Sequence, residues 1–122
     1  MADPRARPDP RLPELLRLAQ AVEERDCAAL TRLTSRIAAL RASHAAAGQL
    51  PRGDLWAAGF AQAGGIDGWG RAAQARRKRI NAELAPLLAN RPAAEHRARA
   101  AIARRVAIER LITESVDRSE ED

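Results

Sequence analysis

Between Leu15 and Leu40 the apolar residues Leu15, Ala19, Val22, Leu30, Leu33, Ile37 and Leu40 recur at spacings of three and four, and Asp26 fills the one position where the series would otherwise lapse. That spacing returns each side chain to the same face of a 3.6-residue turn, so it predicts a helix with one narrow seam. Pro13 suits its first turn, Gly48 is placed to cap its end, and Pro51 blocks continuation. The helix expected over about 13–46 is ~50 Å long at 1.5 Å per residue.

Later segments repeat the pattern with more interruptions. The run "DLWAAGFAQAGG" reads as a short helix, 54–63, started by Asp54 and closed by Gly64 and Gly65. Asp67 is placed to cap a third helix, 67–89, on which Trp69, Ala73, Arg77, Ile80, Leu84 and Leu87 share a face. Pro86 is expected to bend it, and Asn90 with Pro92 to break it. A last helix, 93–114, carries Ile102, Val106, Ile108, Leu111 and Ile112 on a broader face. No segment alternates with the period of a strand. The expected fold is all-α: a coiled-coil-like antiparallel helical hairpin with a broken or kinked second arm, or else a small three-helix bundle. A single helical domain, 12–115, lies between a disordered arm, 1–11, and an acidic tail, 116–122.

Composition agrees with that form. Of the 122 residues 46% are apolar, yet aromatics make up only 2%, with Trp56, Phe60 and Trp69 as the whole set. Alanine supplies much of the remainder; it favours helix but buries little area. Long helices in close contact therefore suit this chain better than a globular interior.

Several function classes are disfavoured. Cys27 is the only cysteine, which rules out an intrachain disulfide and zinc sites built on several thiolates. Neither His44 nor His96 has a second histidine one turn away, and "GGIDGWGR" lacks both a preceding strand and the lysine of a phosphate-binding loop. No catalytic, cofactor or metal site is expected, and the protein is expected to work by binding. The N-terminus holds four prolines and no apolar run of a secretory signal, and nowhere do about 18 apolar residues follow one another. A cytoplasmic protein without membrane insertion is expected.

The run Arg76, Arg77, Lys78, Arg79 invites a nucleic-acid reading, because clustered cations release counterions on meeting phosphates. Helical geometry disfavours it, since four successive side chains at 100° per residue point around most of the circumference. Arg79 and Glu83 also form an i,i+4 pair. The net charge of +5, from 21 basic and 16 acidic residues, reads as a mixed, soluble surface. Trp69, Arg76, Lys78, Arg79 and Asn81 are the candidate partner-binding residues. Arg77 falls on the apolar seam, as Asp26 does on the first helix, so the two are a candidate register pair; the alternative is an Arg77 stem that carries its charge out to water. Trp56, Phe60 and Trp69 are candidate aromatic anchors where helices meet, or docking residues if exposed.

From Trp69 onward, "ARRKRINAELA", with Arg76, Arg77, Asn81, Leu84 and Ala85, and then "ARRVAIERLI", resemble the second half of the FliJ/YscO-like stalk proteins of bacterial flagellar and type III export, in particular their divergent alphaproteobacterial members. The resemblance covers about half of the chain. It implies a cytoplasmic antiparallel hairpin similar to the rotary shaft of ATP synthases, with an export ATPase ring, an export gate or export chaperones as partners. Pro86 and Pro92 depart from the straight arm that the family implies. A FlgN-type secretion chaperone and a basic helical nucleic-acid-associated protein are the alternatives, and homo-oligomerisation is left open.

Overall fold

The computed structural model describes residues 9–49 and 64–121. Among these the fold is all-α and hairpin-like, made of α1, Leu12–Ala47, and α2, Gly65–Glu121. The helix expected over 54–63 lies outside the described residues.

Asp9 organises the start of α1. Its Oδ1 accepts a hydrogen bond from the backbone N–H of Arg11 at 2.9 Å, and its carbonyl accepts one from Leu12 at 3.1 Å. Pro10, between them, sits at the first-turn position where a missing N–H leaves no donor unsatisfied. Residues 9–11 are therefore the cap of α1, a correction to the disordered arm expected through residue 11. At the other end the last turn tightens, with Gly48 N–H donating to the Ala45 carbonyl at 3.3 Å and Gln49 N–H to Ala46 at 3.1 Å. At the entry to α2, Gly64 and the first helical residue, Gly65, adopt φ of 80° and 81°, in the left-handed region that glycine enters without steric cost. Asp67 lies inside the first turn of α2, where a carboxylate suits the helix dipole, and does not cap it.

The second arm is not broken. α2 runs for 57 residues through both Pro86 and Pro92, and the stretch set apart as an acidic tail continues the helix as far as Glu121. An interior proline removes one helical hydrogen bond and crowds the carbonyl four residues earlier. Here the two carbonyls affected belong to Ala82, which is exposed, and Leu88, which is half-exposed, so water can replace the missing donors. Packing of α2 on either side of the prolines overrides the local preference to stop, because tertiary contact supplies most helical stability in proteins.

Two compact units divide the chain, one comprising the residues up to Thr31 and from Pro92 onward, the other Arg32–Arg91. In the first, every buried apolar residue among those described is an alanine: Ala19 on α1, and Ala94, Ala98 and Ala101 on α2. The spacing of four and three along α2 is that of a helix seam, and the small side chains let the backbones approach. In the second unit Ile37, Leu40 and Ala47 of α1 are buried together with Ala73 of α2. Arg36 meets Glu83 and His44 meets Arg77 in this unit, so α1 and α2 run antiparallel there. The three-and-four series read from the sequence thus continues to Ala47, while its first member, Leu15, is 46% exposed.

Candidate interaction surfaces

In the Arg32–Arg91 unit a shallow groove of about 390 Å³ runs beside the helix seam. Ala46, Ala47 and Ile80 supply its apolar surface, and Arg76, Arg79 and Glu83 its charged rim. Glu83 is turned towards α1, where its Oε1 accepts from Arg36 Nη2 at 3.0 Å; this, in place of the expected pairing with Arg79, is the ion pair that the structure gives it. Both partners are more than half exposed, so the pair adds about 0–1 kcal/mol. Arg76 and Arg79 thus face the groove while Lys78 and Asn81, both exposed, project from the other flank of α2 at 100° per residue. The five candidate partner-binding residues are split between two sides. Trp69 is half-buried in the first turns of α2, whereas Trp56 and Phe60 lie outside the described residues.

Asp26 and Arg77 each have a partner of their own. Asp26 accepts from its neighbour Arg25, Nε to Oδ1 at 3.1 Å. Arg77 reaches the end of α1, where its Nε donates to the carbonyl of His44 at 3.5 Å and its guanidinium lies over Gly48. The last carbonyls of a helix lack internal donors and carry the negative end of its dipole, so a cation there is stabilising. Gly48 does not take the left-handed conformation of a typical glycine cap; its missing side chain makes room for Arg77. The polar seam residue thus caps its neighbour and has no ion pair among the described residues.

The ionic link between helices in the other unit is one that sequence reasoning missed. Arg105 Nε donates to Oε2 of Glu23 across the helix pair, and its Nη1 donates to both carboxylate oxygens of Glu109 at 3.0 Å. The hydrogen bond it donates to Glu23, and after it those to Glu109, hold the Arg105 guanidinium above its ordinary pKa. The i,i+4 spacing of Arg105 and Glu109 is visible in the sequence, but the facing of Glu23 is not, because it needs the register of α1 against α2.

That register also places an apolar flank. With Glu23 level with Arg105, Leu111 falls at the height of Leu15 and Leu18, and the 100° step puts all three on the side away from Gln20, Glu24 and Glu109. They are 46%, 64% and 49% exposed for Leu15, Leu18 and Leu111. The broad apolar face expected near the end of the chain is thus partly covered, with Val106, Ile108 and Ile112 half-buried, and partly open.

Charge is segregated between the units. Arg32–Arg91 carries ten basic and three acidic residues, a formal net charge of +7; the remainder carries eleven and thirteen, net −2, which together give the +5 of the whole chain. The balanced surface read from composition is therefore an average over two unlike parts.

Among the described residues no three His, Cys, Asp or Glu side chains gather as a metal site, and no helix is long and apolar enough to cross a membrane. Cys27 is half-buried and unbridged. Compared with known proteins, the chain matches no family model, no curated protein and no solved structure.

Proposed function

We propose that this protein is a non-enzymatic adaptor or stalk of a bacterial flagellar, type III export apparatus, binding the export ATPase or export chaperones through its helical surfaces in the cytoplasm. The observation that carries the reading is the uninterrupted α2, 57 residues long and antiparallel to α1: the prolines that distinguished this chain from the stalk family leave the second arm helical. Two further features support a binding role. Leu15, Leu18 and Leu111 form an open apolar flank of the kind that association covers, and alanine seams bury little area of their own.

The test is reconstitution of the full chain with the export ATPase of the bacterium that encodes it, followed by size exclusion with light scattering. Co-elution, weakened at least tenfold by L18E or L111E, is the expected result. Separate elution at concentrations of tens of micromolar overturns the stalk reading, and binding to an export substrate without the ATPase replaces it with the FlgN-type chaperone. The concentration of positive charge in Arg32–Arg91 favours one other reading, a nucleic-acid-associated protein. Under that reading, retention on DNA falls steeply with salt.

A further inference from the structure

The groove is rimmed by Arg76, Arg79 and Glu83, the last engaged by Arg36, so an occupant that fits it brings carboxylates to the two groove arginines and an apolar side chain to Ala46, Ala47 and Ile80. A phosphate polymer would use the arginines and leave the apolar surface idle. A helical segment of the required kind is present in the chain itself. Residues 114–122 hold five carboxylates against one arginine, Arg118. On the last turns of α2, Val116, Asp117, Glu120 and Glu121 recur at the i, i+1, i+4 and i+5 positions of one face. Val116 is 42% exposed, and residues 117–121 are all exposed, so this face is open among the described residues. Arg118 is drawn aside by Glu114 at 3.8 Å, which leaves Asp117, Glu120 and Glu121 as the charges of that face.

We infer that the occupant is a second copy of this chain: the acidic end of α2 from one copy seats in the Arg76–Arg79 groove of another, with Val116 on the apolar surface and its carboxylates on the two guanidinium groups. Arginine suits this role because its planar fork receives a carboxylate with two parallel hydrogen bonds. The charge segregation sets the arrangement. Contact of the −2 part of one copy with the +7 part of another is favoured over pairing of like-charged parts, and a two-fold dimer that makes this contact makes it twice. The inference is independent of the export reading, since it requires nothing but this chain.

Sedimentation equilibrium on the full chain tests it at about 50 mM and about 500 mM salt, which span strong and weak screening. A dimer at the lower salt that dissociates at the higher is expected. R76E/R79E and D117R/E120R/E121R each weaken self-association at least tenfold with helical content unchanged by circular dichroism. An equimolar mixture of the two variants restores the dimer, since each reversed groove then meets a reversed helix end. A wild-type chain that stays monomeric at the lower salt at hundreds of micromolar overturns the proposal, as does a dimer indifferent to both reversals. A monomer that binds a single-stranded oligonucleotide through Arg76 and Arg79 also overturns it and gives the groove to phosphate.

Discussion

The guanidinium of Arg77 lies over Gly48, so close that a Cβ added to the glycine would come within 1.6 Å of its Nη2. One residue supplies the cation and the other the space it occupies. Gly48→Ala is expected to displace the flexible end of Arg77 and leave the backbone in place. Its cost then equals the lost cap on the α1 terminus, about 0.3–1 kcal/mol. Arg77→Ala removes the same interaction, so a double-mutant cycle by urea unfolding should show the two losses overlapping. Full additivity would mean that the contact contributes nothing to stability.

Arg105 stands between two carboxylates, and its removal strands both. Its side chain is 26% exposed and that of Glu23 22%, against 55% and 58% for the Arg36–Glu83 pair. Arg105→Ala is therefore expected to lower the urea midpoint by more than Arg36→Ala does, because unpaired carboxylates near the helix interface cost more than exposed ones. Equal midpoints for the two variants would refute this ranking.

Acid should loosen the start of α1. The hydrogen bonds from Arg11, side chain before backbone, hold the Asp9 carboxyl below its ordinary value of 3.8. A carboxyl with a depressed folded-state pKa stabilises the fold above its unfolded value, and that contribution is lost as pH falls through the folded one. NMR titration should show the Arg11 amide shifting below about pH 4. Asp9→Asn, which keeps an acceptor for that amide, should remove the transition while leaving the cap.

Alanine at Pro86 or Pro92 is expected to stabilise the protein. Each substitution restores a helical donor and removes a ring from the helix interior, a difference of up to about 3 kcal/mol per site. The greater freedom of the unfolded chain takes back part of it. A rise in the thermal midpoint for both single variants is the expected reading, and a fall would show that the helix is adapted to the rings.

Much of this architecture was legible in the sequence because the three-and-four spacing of Ala19, Leu30, Ile37 and Leu40 is a local property that burial only had to confirm. The cap at Asp9 was also legible, in the dipeptide Asp9–Pro10, but the density of prolines nearby favoured a disordered reading. Pro86 and Pro92 misled for the opposite reason: their cost is local and visible, whereas the packing that offsets it is distant in sequence. The candidate surface divides in the same way. Composition showed that the arginines exist, but the partner of Arg77, the facing of Glu23 and Arg105, and the concentration of charge in Arg32–Arg91 all depend on which residues the hairpin sets opposite each other.

The alanine seam of the first unit has a mechanical consequence. Ala94, Ala98 and Ala101 offer α1 nearly the same small methyl group at each turn, so a shift of α1 by one turn, about 5.4 Å, meets almost the same surface again. Alanine thus makes a rail more than a lock. The bond from Arg105 to Glu23 supplies a detent there, a directional contact that such a shift would have to break.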